Sequence, residues 1–272
     1  MNNNNMIAEF LPDLIQWCRS QLTKSGGDRA VIGLSGGKDS TVVSALMAEA
    51  IGKERVYALI LPDKGQSDLD TAIGIAQELG INYQVLDISQ ITSAIRAQLS
   101  EAIASGMIKE ETEQTRLNIP PRVRMTMLYA VSQSIPGSRV INTSNLSEDW
   151  VGYVTLYGDS AGAFAPLGML TSAEVVALGK KLGISERYLN IPPADGLTGK
   201  SDEEVFGFSY RQLNKYIRTG IISDEDTRTK IDRMHRQSRF KFLPLPMFRP
   251  PFSIEADDIA GVYRVSDQID KD

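Results

Sequence analysis

The sequence predicts an α/β protein built on a parallel sheet with helices on both faces, and three observations lead there. Apolar runs of strand length alternate with helix-periodic segments from Ala30 to about Leu182. The first run ends in a glycine-rich turn that opens a helix. A chain of 272 residues with 42% hydrophobic content is long enough to bury the core of one such domain.

Taken in order, Ala30, Val31, Ile32 and Leu34 read as a short buried strand, and Thr41 to Ala50 as the helix that follows. Val56 to Leu61 reads as the second strand. The segment from Ser67 to Leu79 is predicted as a helix, with Leu69, Ile73, Ala76 and Leu79 on one face and Gly80 closing it. Ile81 to Leu86 reads as the third strand and Arg139 to Asn142 as a later one. Between them, Pro121 to Ser134 reads as a helix opened by a proline, where the missing N–H costs nothing. Thr171 to Leu182 forms another helix, ended by Gly183. Beyond Asn190 the alternation stops. Residues 191–208 are rich in Pro, Gly, Ser and Asp and read as a flap, followed by helices over Ser209 to Thr219 and Ser223 to Phe240. The prolines of the tail, residues 241–272, rule out helix there. Residues 1–272 are expected to form a single domain.

Charge and composition narrow the function classes. With a net charge of −5 the chain carries no basic field that would invite nucleic acid. No apolar run is long enough to span a bilayer, and MNNNNM lacks the basic and apolar regions of a secretion signal, so no membrane role and a cytoplasmic location are expected. The single cysteine, Cys18, excludes an intrachain disulfide and any CxxC pair; beside Trp17 in a helical stretch it reads as a packing thiol.

The chemistry concentrates in AVIGLSGGKDS, Ala30 to Ser40. Glycines permit close backbone approach, and the free N–H groups at the start of the next helix would face phosphate oxygens. The loop is not a Walker A motif. Gly33 to Gly37 encloses three residues where that motif needs four, and Lys38 is followed by Asp39, whose carboxylate would repel a phosphate unless a metal lay between them.

The SGGxDS pattern resembles the signature loop of the N-type ATP pyrophosphatases, which cleave ATP to AMP and pyrophosphate while adenylating a second substrate. Four more segments follow in order: LPDKGQSDLDTAIGIAQELGI, NIPPRVRMTMLYAVSQ, INTSNLSEDWVGYVTLYGD and IPPADGLTGKSDEEVFGFSY. Together they make the chain similar to the ammonia-dependent NAD synthetase family from about Phe10 to Phe248. That resemblance implies a doubly wound, Rossmann-like parallel sheet of the adenine nucleotide α hydrolase type with C-terminal helices. It also implies a homodimer that amidates deamido-NAD with ATP, magnesium and ammonia. There is no room for the nitrilase-type domain of the glutamine-using members, so free ammonia or a separate donor is expected.

In that reaction a carboxylate attacks the α-phosphorus of ATP, pyrophosphate leaves, and ammonia displaces AMP from the mixed anhydride. The resemblance assigns Gly33, Leu34, Ser35, Gly36, Gly37, Ser40 and Thr143 to ATP, with Lys38 added as a candidate ATP contact on its charge, Asp39 and Glu148 to magnesium, and Arg122 and Lys241 to the acceptor. Asp39 and Lys38 are the catalytic candidates. Plainer readings stand beside these. Asp39 also suits a helix start, Glu148 also fits a capping box begun by Asn145, and Arg122 and Arg124 also read as solvated arginines. Lys38, where the family commonly has an uncharged residue, reaches either phosphate or solvent. His235, the only histidine, is not recognisable as a catalytic base.

The chain departs from the family at Leu156, Ala163, Ser172, Ala194 and Phe240, each of which replaces a charged or hydrogen-bonding residue. Losing a buried polar contact costs about 1 kcal/mol, and a charged one roughly 1.5 to 3. The pattern suggests that ATP activation is kept while acceptor recognition is rebuilt, giving a paralogue that amidates a different carboxylate as the alternative. A thiolating pyrophosphatase and a non-catalytic nucleotide binder are the other classes; the lone Cys18 argues against the first, and the retained Asp39 and Glu148 against the second.

Overall fold

The computed structural model describes residues 3–64, 69–191, 201–248 and 250–257. Its elements run α1 (Asn3–Lys24), β1 (Arg29–Gly33), α2 (Lys38–Ile51), β2 (Val56–Ile60), α3 (Leu69–Leu79), β3 (Asn82–Val85), α4 (Ser89–Ala104) and α5 (Glu113–Ser134). They continue with β4 (Ser138–Val140), α6 (Leu146–Val151), α7 (Ser172–Lys181), α8 (Glu186–Leu189), α9 (Asp202–Phe206), α10 (Tyr210–Thr219) and α11 (Glu225–Ser238). Among the described residues the strands form one sheet in the order β3-β2-β1-β4, all parallel. Order reverses between β1 and β4, the crevice where open α/β sheets bind ligands.

Alternation along each strand explains the two layers. Ala30 and Ile32 of β1 and Val56, Ala58 and Ile60 of β2 face a core shared with Leu46 and Met47 of α2, Ile75 of α3 and Leu178 of α7. Val31 and Leu59 face the other way, against Ile119 and Val123 of α5. Both faces are therefore covered, as a parallel sheet requires. A third cluster, Val151, Phe206, Phe208, Tyr210, Leu213 and Ile231, joins α6 to the helices after the flap. Cys18 is fully buried in the first core, where desolvation pushes its thiol up to about 12.

The structure departs from expectation at several places. The helix expected to open at Pro121 opens at Glu113, capped by Thr112, whose hydroxyl accepts from Thr115 N at 3.1 Å; Pro120 and Pro121 lie inside it. A strong cap upstream outweighs the two amide bonds that the prolines delete. The last helix spans Glu225–Ser238 and passes into a 3₁₀ turn, Arg239–Lys241. Within the flap, Ser201 caps α9, while residues 192–200, like Ser67 at the expected start of α3, lie outside the described residues. The chain divides into two units, Met1–Lys241 and Phe242–Asp272, and the second has irregular backbone over its described residues.

Candidate active site

A cavity of about 980 Å³ opens at the C-terminal ends of β1, β2 and β4. Gly33, Leu34, Ser35, Gly36, Gly37, Asp39, Ser40, Thr143, Glu148 and Lys241 all line it. The loop after β1 is shaped by its own hydrogen bonds. Gly36 takes a φ of 88°, a left-handed conformation that suits glycine, and Gly37 N then donates to Ser35 Oγ at 3.2 Å. Ser40 Oγ lies 3.1 Å from Ser35 Oγ and donates to the Gly37 carbonyl at 3.1 Å. Gly37 caps α2 without any side-chain hydrogen bond, so the first-turn amides of α2 are left to an anion from the cavity.

Two carboxylates meet beside that loop. Asn145 caps α6, accepting at Oδ1 from Ser147 N at 3.0 Å and Glu148 N at 3.2 Å. Its amide nitrogen donates to Asp39 Oδ1 at 3.1 Å and to Glu148 Oε1 at 2.9 Å. Asn145 thus ties the start of α2 to the start of α6 and sets the two acids side by side. Desolvation, reinforced by the Asp39 charge, drives the Glu148 carboxyl well above the usual carboxylate range. Lys38 turns inward, donating to Asp39 Oδ2 at 2.7 Å. Burial pulls its ammonium down, but Asp39, Glu148 and Asp202 outweigh that and raise it overall.

A hard cation such as magnesium takes one or two carboxylates and completes its shell with phosphate oxygens and water. Asp39 and Glu148 fit that role in kind. Among the described residues no group of three or more His, Cys, Asp or Glu side chains is arranged to hold a metal.

The far side of the cavity is lined by Glu113, Gln114 and Asn118 of α5 with Thr155, Asp159 and Lys241. Thr155 Oγ1 donates to Asn118 Oδ1 at 2.7 Å, and Thr155 N donates to Asp159 Oδ1 at 2.6 Å. Desolvation raises the Asp159 carboxyl. Lys241 Nζ donates to the carbonyls of Gly152 and Val154, both at 2.8 Å, and burial lowers it. Sequence reasoning missed Asn145 as the bridge between the two acids, where only its cap pattern gave a signal, and missed Asn118, Thr155 and Asp159 as a bonded group.

Arg122 is exposed and does not line the cavity; its Nε donates to the Leu156 carbonyl at 3.3 Å. Arg124 does line it, with Nε donating to the Leu61 carbonyl at 3.0 Å. The departures fare similarly. Leu156, Ala163, Ser172 and Phe240 do not line the cavity of a single chain, and Ala194 lies outside the described residues. Ser172 is buried for a structural reason: its Oγ accepts from Asn214 Nδ2 at 3.1 Å, and Asn214 Oδ1 accepts from Ser147 Oγ at 2.6 Å, tying α10 to α6 and α7. His235 stacks on Trp150 at 4.1 Å between ring centroids, away from the acids.

Residues 10–243 match the family described as NAD synthase. The NH(3)-dependent NAD(+) synthetase of Archaeoglobus fulgidus is 34% identical over 88% of this chain and 94% of its own. That of Methanosarcina acetivorans is 36% identical over 75% and 79%. Among solved structures, NMN synthetase from Francisella tularensis superposes with a TM-score of 0.80 at 28% identity, covering 90% of this chain and 99% of that one. The NH3-dependent NAD synthetase from Campylobacter jejuni gives 0.71 at 27%, covering 89% and 99%. With a glycine-rich loop at the switch point of a parallel sheet and this likeness along nearly its whole length, the chain belongs to the NAD synthase family of ATP-dependent ligases that form a carbon–nitrogen bond.

Proposed function

We propose that this protein activates a pyridine-nucleotide carboxylate with ATP and transfers ammonia to it, releasing AMP and pyrophosphate. One observation carries the reading: the uncapped start of α2, the paired acids Asp39 and Glu148, and the polar wall of Asn118, Thr155, Asp159 and Lys241 open into one cavity. In this reading Ser35, Gly36, Gly37 and Ser40 hold the triphosphate by backbone amides and hydroxyls, and Thr143, after β4, lies against the nucleotide. Asp39 and Glu148 would hold magnesium, which supplies positive charge to the leaving pyrophosphate. Lys241, at the end of the 3₁₀ turn, orders the Gly152 and Val154 backbone around the acceptor side.

The acceptor of the reading is deamido-NAD, as the names of the curated relatives suggest. A second acceptor, nicotinate mononucleotide, is favoured by the superposition on NMN synthetase, which is closer than that on the NAD synthetase at almost the same coverage. The decisive assay measures AMP and pyrophosphate release from ATP, magnesium and ammonium with each acceptor in turn. Release with either supports the reading and names the substrate, whereas release with neither overturns it.

The family expectation of a homodimer extends this proposal. Met127, Leu128 and Val131 of α5 pack against the sheet, while Thr126 and Ala130 are exposed on the helix, and a second copy would cover that side. Light scattering at micromolar concentration is expected to give twice the chain mass; a monomer would refute it.

A further inference from the structure

Lys38 is placed where electrostatics least favours a lysine. It is the first residue of α2, at the positive end of the helix dipole, and only 6% of it is exposed. A long ammonium side chain at such a position normally extends into water. Here it folds inward instead, with Nζ 2.7 Å from Asp39 Oδ2 and 5.9 Å from the centre of the Tyr210 ring. The carboxylates of Glu148 and Asp202 add to its field, and Tyr210 donates to Asp202 Oδ2 at 2.8 Å. Two penalties, burial and the helix end, are thus accepted to hold one positive charge against Asp39, Glu148 and Asp202.

Asp39 is engaged on both oxygens, by Lys38 on one and Asn145 on the other. A divalent ion using Asp39 must therefore compete with the ammonium. We propose that Lys38 is a built-in counter-ion of the phosphate-binding centre, holding the Asp39 carboxylate in place of part of the divalent charge and turning to the nucleotide phosphates when ATP enters. Its four-carbon stem allows that swing, and the ammonium presents more than one donor. The consequence is a site that retains nucleotide affinity when magnesium is scarce and binds a free divalent ion weakly. The inference rests on the reading that this cavity takes ATP.

The test measures two affinities in the wild type, Lys38→Met and Lys38→Arg: ATP by calorimetry, with magnesium or with EDTA, and Mn²⁺ by electron paramagnetic resonance without nucleotide. Lys38→Met is expected to weaken ATP binding in EDTA by about tenfold or more, with a much smaller loss under saturating magnesium. The same variant is expected to bind Mn²⁺ about tenfold more tightly, because Asp39 is released to the metal. Lys38→Arg, which keeps the charge, should stay near the wild type on both. Opposite movement of the two affinities is the signature. Two unchanged affinities, or two that fall together, overturn the proposal. If Lys38→Met does not fold, Lys38→Gln carries the same comparison. Wild-type protein that binds no ATP even with magnesium would instead overturn the functional reading beneath it.

Discussion

Asp39→Asn and Glu148→Gln are each expected to lower the rate of AMP formation by roughly 10²- to 10³-fold while leaving the protein folded. Either change keeps the size of the side chain and removes one negative charge from the centre that positions Lys38, Asn145 and the proposed metal. For Glu148→Gln stability should move the other way or not at all, whereas Asp39→Asn takes the charged partner from the buried Lys38 ammonium and should lower stability. Glu148 is a buried carboxylate beside Asp39, and an amide there relieves both desolvation and like-charge repulsion. Thermal melting with AMP release measured on the same samples separates the two effects. A variant that turns over near the wild-type rate would remove the acid pair from the mechanism, and one that fails to fold would make its role architectural.

Gly152→Ala should be the most damaging glycine substitution near the site. Gly152 ends α6 at φ 70°, and a Cβ added there would lie 2.0 Å from Ser238 Cβ on α11. Gly220, which ends α10 at φ 68°, has nothing within 4 Å of an added Cβ. Both substitutions incur the left-handed strain of roughly 1–2 kcal/mol. Only Gly152→Ala adds overpacking, roughly 1–3 kcal/mol more. It also disturbs a carbonyl that Lys241 holds, so activity should fall further than at Gly220. Urea midpoints of the two variants check this, and equal losses would mean that α11 shifts without resistance.

The parts of this architecture that were legible in the sequence are those set by local chemistry. Ala30 and Ile32 against Val31 already encode the two faces of β1, and the glycines before Lys38 already encode the turn that opens α2. The acids were joined in the sequence only through the resemblance, which gives both to magnesium; their bridge, Asn145, was not legible because it contacts Asp39 across 106 positions of chain. Paired prolines read as a beginning, yet Thr112 had begun α5 two turns earlier. Arg122 and Arg124 could not be separated by type. Two positions apart on a helix, they point to different sides, and only packing tells which side meets the cavity. Ser172 misled for a related reason: its environment is made by Asn214, far along the chain.

The strand order also bears on how the protein is made. Val31 of β1 pairs with Val140 of β4, so 109 positions separate the two edges of the crevice. At a ribosomal speed of roughly 5–20 residues per second, β1 emerges on the order of five to twenty seconds before the neighbour that completes the crevice. Through that interval one edge of β1 has no strand beside it, and Thr143 and Asn145 have yet to be synthesised. In the proposed reading a nascent chain carries the loop after β1 long before it can close the nucleotide site, so ATP would not template its folding until synthesis has passed α6.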